Sequence, residues 1–124
     1  MKKVSVAIVA LLFISLVMAF AAKMQKGPDP LKVGPEIYKL AFENEKVRVL
    51  EVHFAPGVSI GEHWHPDHLA YIMTAGKLQI TAHGGKPQVV DGKPGMVIFI
   101  KSESHSAKNL GETDIKILVV ELKK

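Results

Sequence analysis

Three of the six histidines in this 124-residue chain crowd into one short run, His63-Trp64-His65-Pro66-Asp67-His68. On a β-strand, residues two apart project to the same face, so His63 and His65 can offer two neutral imidazole nitrogens to one metal ion. That is half of a metal site. A third ligand has to come from elsewhere in the fold. His105 is the candidate, placed between an apolar run that ends near Ile100 and the last apolar run of the chain. The sequence has no cysteine, which excludes thiolate zinc sites, iron–sulfur clusters, disulfides and cysteine nucleophiles together. Imidazole ligands suit iron, zinc, nickel or copper, with manganese also accessible, and argue against calcium and magnesium. His53 and His83 stand alone on alternating segments and read as ordinary surface or filler positions.

The elements that must carry these side chains read as strands. From Ile37 onward apolar and polar residues alternate over short runs bounded by turn signals. The expected strands are Val47 to Phe54, Leu69 to Thr74, Lys77 to His83, Gln88 to Val90, Met96 to Ile100 and Ile115 to Leu122, punctuated by Pro56-Gly57, Ala75-Gly76, Gly84-Gly85, Asp91-Gly92 and Pro94-Gly95. No run in the body shows a 3.6-residue apolar period, which disfavours a βαβ architecture and favours an all-β, closed antiparallel barrel or jelly roll. Leu69, Met73, Leu78, Ile80, Val97 and Phe99 are the expected core. Trp64 and Tyr71 are expected to line the barrel or its rim, where an aromatic can position a substrate. Glu62, Lys101 and Glu103 read as solvated charges near the barrel mouth, and Asn109 as a turn residue.

The segment Gly57-Val-Ser-Ile-Gly-Glu-His63-Trp-His65, closing at Gly76, resembles the first cupin motif, and Gly95 through His105 to Asn109 resembles the second. The likeness covers nearly all of the chain after the leader and is greatest to small single-domain cupins with an HPDH core, among them β-alanine-degradation-associated cupins. It implies that His63, His65 and His105 bind one divalent transition metal. It implies also a small-molecule ligand or substrate, dioxygenase-like or isomerase-like chemistry, and a homodimer. The sequence departs from the family at the fourth ligand: seven residues before Gly76 stands Leu69, where the family has glutamate. Two repairs are open, His68 swinging in as a fourth ligand, or a three-histidine site completed by water or substrate. Lys101 and Ser102 stand where proline and glycine are commoner. The alternative to an enzyme is a non-catalytic metal- or ligand-binding cupin with a structural or degenerate site.

At the N-terminus, Lys2 and Lys3 precede an uncharged apolar stretch from Val4 to Ala22, and Ala19-Phe20-Ala21 provides a signal-peptidase pattern. The expected organisation is a helical signal peptide over 1–21, a linker or extended arm over 22–35 rich in Gly and Pro, and the barrel over 36–124. Export to the periplasm or beyond follows, with an uncleaved inner-membrane anchor as the alternative, because about twenty apolar residues suffice to cross a bilayer. Losing Lys2 and Lys3 lowers the formal charge from +4 to +2. The remaining lysines are scattered and no basic helix or aromatic-basic stripe accompanies them, so no nucleic-acid partner is expected. No phosphate-cradling glycine loop precedes a helix, so no nucleotide cofactor is expected.

Overall fold

Short alternating runs of β-branched and aromatic residues make strands here, and each is ended by a residue pair that bends the chain. The computed structural model describes residues 26–124, so the leader lies outside the described residues. A single helical turn α1 (Pro30–Val33) precedes nine strands: β1 (Tyr38–Glu43), β2 (Val47–Phe54), β3 (Ser59–His65), β4 (His68–Ile72), β5 (Gly76–Ala82), β6 (Gln88–Gly92), β7 (Val97–Ile100), β8 (Glu103–Asn109) and β9 (Ile115–Leu122). The strands form two antiparallel sheets, ordered β1-β2-β9-β4-β7 and β3-β8-β5-β6. The expected all-β jelly roll is what the chain adopts. The turns between β2 and β3 and before β7 place Gly57 and Gly95 at φ +73° and +90°, backbone conformations that disfavour any side chain.

Between the sheets lies a core that includes Leu50, Val52, Phe54, Ile60, Ile72, Leu78, Ile115, Ile117 and Val119. Leu50 and Phe54 are essentially inaccessible to water, and burial of a side chain of that size stabilises the fold by roughly 1.5–3 kcal/mol. The core differs from the expected one in the phase of β4 and β7. His68, Ala70 and Ile72 face inward, whereas Tyr71 and Met73 are exposed; on β7, Val97 and Phe99 are exposed and Ile98 and Ile100 are half-buried against the core. Both faces of these strands are apolar, so alternation alone left the phase undetermined. Of the expected core residues, Leu78 is buried and Ile80 packs partly against it.

Three of the nine strands had no expected bounds, β1, β3 and β8, although His63 and His65 read as strand residues. β8 turns the region around His105, which lies between two expected strands, into a ladder between β3 and β5. The unusual Lys101-Ser102 pair is accommodated because the Asp67 carboxylate accepts from the Ser102 backbone N–H at 2.8 Å. The described part of the arm, residues 26–35, is also more ordered than its Gly and Pro content suggests. Asp29 caps α1, its carboxylate accepting from the Leu31 N–H at 2.9 Å; Pro30 is buried, and the Trp64 N–H donates to the Pro28 carbonyl.

Candidate metal centre

A bulge in β3 is what brings the histidines inside. Ile60 pairs with Ala107 and His63 with His105, so two residues of β3 oppose one of β8 between those pairs. Strict alternation from the buried Ile60 would send His63 to solvent, and the extra residue restores the inward phase. His63 and His65 then face the interior beside His105 of β8, while His68 enters from the first residue of β4 on the opposite sheet. All four are buried. One ring nitrogen each of His63, His65 and His105 lies within 4.8 Å of the others. His68 is outside that trio but adjoins it, with ring centroids 4.7 Å from His65 and 6.4 Å from His105.

Each ring is held by its Nδ1. His63 Nδ1 lies 2.9 Å from the Gly61 carbonyl, His65 Nδ1 2.6 Å from Glu121 Oε1, His68 Nδ1 2.7 Å from the Pro66 carbonyl and His105 Nδ1 2.8 Å from Glu103 Oε1. A carbonyl or carboxylate oxygen accepts, so Nδ1–H donates in every case and the Nε2 lone pair is left free. The tautomer is thereby the one a metal-binding imidazole needs. The only further partner of these Nε2 atoms among the described residues is the Tyr38 hydroxyl, 3.3 Å from that of His63.

Burial favours the neutral form of the His63, His68 and His105 rings. Burial pushes His63 down to about 4, overriding the hydrogen bond to Gly61, and its histidine neighbours act in the same direction. Burial likewise brings His68 to about 4 and lowers His105. Burial would raise Glu121, but the hydrogen bonds from His65 and Arg48 outweigh it and hold the carboxyl below its ordinary value. Neutral, desolvated imidazoles with oriented lone pairs fit a divalent transition metal, and His63, His65 and His105 could hold one.

A relay of ionic contacts lies behind His65. The Arg48 Nε donates to Glu121 Oε2 at 2.5 Å and its guanidinium reaches Asp29 Oδ2 at 2.7 Å, so the arm is linked to the histidine cluster through Asp29, Arg48, Glu121 and His65. Sequence reasoning missed Tyr38, Arg48 and Glu121. One signal was present for Glu121: on β9 it continues the buried series Ile115, Ile117, Val119, and a carboxylate in phase with a core row must have a partner inside. Glu103, read as a solvated charge, in fact orients His105.

The two aromatics expected near a substrate lie elsewhere. Trp64, between His63 and His65, faces outward, where Lys26 Nζ sits 4.8 Å from its ring centroid. Tyr71 lies on the outer face of the five-stranded sheet. His53 and His83 are exposed and lie against Asp114 at 3.4 Å and Glu62 at 2.8 Å, so neither joins the cluster. Asn109 is buried and does tie a turn together, donating to the Phe54, Ala55 and Thr113 carbonyls and accepting from the Gly111 N–H. Leu69, at the position of the missing glutamate, faces away from the cluster; the inward neighbour at this end of β4 is His68.

Comparison with known proteins agrees with this fold. The profile of the cupin domain family matches residues 50–121. No curated protein sequence matches the chain. Among solved structures, a cupin domain from Bordetella pertussis superposes with a TM-score of 0.66 at 24% identity, covering 82% of this chain and 99% of that one. A cupin superfamily protein from Desulfitobacterium hafniense gives 0.54 at 24% identity, covering 71% and 77%. A predicted oxalate decarboxylase from Thermotoga maritima gives 0.51 at 30% identity, covering 65% and 70%.

Proposed function

We propose, on the premise that this chain belongs to the cupin domain family, that it holds one divalent transition metal through His63, His65 and His105 and uses the remaining positions to bind and transform a small polar organic molecule after export from the cytoplasm. The observation that supports this most is the common orientation of the histidines: buried rings, each with its Nδ1 occupied by an oxygen acceptor and its Nε2 free. A metal bound there supplies a Lewis acid, and in the case of iron a centre able to activate dioxygen. The chain's own residues supply the rest. Glu121 and Glu103 fix the rings of His65 and His105, and the apolar core between the sheets excludes water. The Nε2 lone pair of His63 can serve either the Tyr38 hydroxyl or a metal, so metal binding leaves that hydroxyl as a hydrogen-bond donor beside the site.

The interior surroundings favour a small ligand over a polymer. Because the Thermotoga maritima protein is described as a predicted oxalate decarboxylase, small carboxylic acids, oxalate first, head the candidate substrates. The test is to load the chain from Ala22 onward with iron, manganese, nickel, copper or zinc in turn and offer small hydroxy, keto and dicarboxylic acids in air. The readouts are oxygen uptake, carbon dioxide release and isomer formation. Turnover with one metal is expected; none with full metal occupancy would reject the enzymatic reading.

The inward position of His68 favours a second reading in which it completes a closed four-histidine shell and the ion is structural or the protein a binding module. His68→Ala separates the two, since a closed shell loses much of its affinity and an open three-histidine site keeps its metal. Export is tested by fractionation and N-terminal sequencing, with Ala22 as the expected first residue of the mature protein.

A further inference from the structure

The segment before β1 ties the two sheets together, and it does so beside the histidines. β3, which carries His63 and His65, is an outermost strand of the four-stranded sheet. Its outer edge is taken by the arm: the Trp64 N–H, between the two histidines, donates to the Pro28 carbonyl at 2.8 Å. One residue on, Asp29 reaches the other sheet. Its Oδ1 accepts from the Leu31 N–H at 2.9 Å and so caps α1, while its Oδ2 accepts from Arg48 Nη1 of β2 at 2.7 Å. Arg48 in turn donates through Nε to Glu121 Oε2 at 2.5 Å, and Glu121 Oε1 accepts from His65 Nδ1 at 2.6 Å. Pro30 and Gly34 of the same segment are buried, Gly34 so close to β3 that a Cβ there would stand 2.5 Å from Ile60 Cδ1.

We propose, resting on the metal site given above, that docking of this arm and binding of the metal are coupled through the relay, with Asp29 and Arg48 as positioning residues for His65. A metal on Nε2 withdraws electron density from the imidazole, so Nδ1–H becomes a stronger donor and leans harder on Glu121. Glu121 can answer only while Arg48 is held in place, because its second oxygen faces the guanidinium. Among the described residues Asp29 and Glu121 are the two ion-pair partners of Arg48. With both present the cation is shared between two carboxylates; without Asp29 it pulls on Glu121 alone, at the expense of the bond to His65. In the reverse direction, a metal that fixes His65 fixes Glu121 and Arg48, and with them the point to which Asp29 is tied. By linkage, the gain in metal affinity from a docked arm equals the gain in arm docking from a bound metal.

Asp29→Asn isolates the link. The asparagine keeps an oxygen for the Leu31 N–H and remains a good helix cap, but it presents an amide N–H₂ to Arg48 in place of the second carboxylate oxygen. In the chain from Ala22 onward, which contains every described residue, zinc and nickel affinity is measured by competition with a chromophoric chelator. Asp29→Asn is expected to lower it roughly three- to tenfold with unchanged far-UV circular dichroism, less than the ~10–100-fold that follows loss of a group bonded directly to a metal ligand. In a Glu121→Gln background, where the link is already cut, the same substitution is expected to change affinity by less than about twofold. Zinc is expected to slow trypsin cleavage after the exposed Lys32, and to slow it roughly three- to tenfold less in Asp29→Asn. Asn109→Ala, whose hydrogen bonds involve none of the relay residues, destabilises the fold and is expected to keep wild-type affinity. An affinity unchanged by Asp29→Asn, an undiminished effect of it in Glu121→Gln, cleavage after Lys32 that zinc slows equally in both proteins, or an equal fall in Asn109→Ala would overturn the coupling and leave the metal site standing. A wild type that binds neither zinc nor nickel would overturn both.

Discussion

Replacing Glu121 by Gln should weaken both the fold and the metal centre. The Glu121 side chain is 3% exposed and accepts from His65 Nδ1 at 2.6 Å and from Arg48 Nε at 2.5 Å. Glutamine keeps one acceptor oxygen, so it can satisfy His65 or Arg48, and its amide N–H₂ then confronts the remaining donor. Breaking a buried charge pair from one side costs about 3–5 kcal/mol. Arg48 retains Asp29 and some access to water, which places the expected loss near the lower end, about 3 kcal/mol, or on the order of 10–20 °C in melting temperature for a domain of this size. Metal affinity should fall roughly 10–100-fold, because the carboxylate that fixes the His65 tautomer and raises its basicity is gone. Denaturant unfolding of the chelator-treated protein gives the first quantity, and competition with a chromophoric chelator gives the second. An unchanged metal affinity would refute the role assigned to Glu121, whatever happened to stability.

Three further outcomes follow from the same geometry. The metal-free fold should lose stability as pH falls from 6.5 through about 4. His63 and His68 titrate near 4 when folded and at 6.5 when unfolded, so the unfolded chain binds more protons in that window; urea midpoints that rise on acidification would contradict this. Tyr38→Phe removes a competitor for the His63 lone pair and should leave metal affinity equal or up to about tenfold tighter, as one hydrogen bond is worth ~0.5–1.5 kcal/mol, while azide binding to the loaded metal weakens. Metal affinity that collapses in this variant would show Tyr38 to be a ligand. Asn109→Ala leaves the buried Phe54 carbonyl and the half-buried Ala55 carbonyl without this donor and should cost about 1–3 kcal/mol in chemical denaturation with metal stoichiometry intact; a cost near zero would mean that water replaces the amide.

The parts of the site that lie close in sequence were legible there. His63 and His65 announce themselves by their spacing, and β2 and β9 have the bounds that the apolar alternation indicated. What alternation could not give was phase where both faces are apolar: Leu69, Val97 and Phe99 read as core although they face outward. Nor could it foresee the β3 bulge, which depends on the register with β8. Glu121 lies 56 residues from His65 and 73 from Arg48, and Tyr38 lies 25 from His63. Such partners are set by strand order, for which a single sequence carries no local signal. Alternation puts His68 and Leu69 on opposite faces, and the structure decides which of the two points inward.

The most direct test of the central claim is the metal content of the chain from Ala22 onward, purified without chelators or a metal-affinity column, in wild type and in the double variant His63→Ala/His105→Ala. The account predicts about one equivalent of a single transition metal per protomer in the wild type and none in the variant, with the wild-type melting temperature falling when the metal is stripped. A wild type that takes up no iron, manganese, nickel, copper or zinc even on incubation, or a variant that retains its metal, would contradict it.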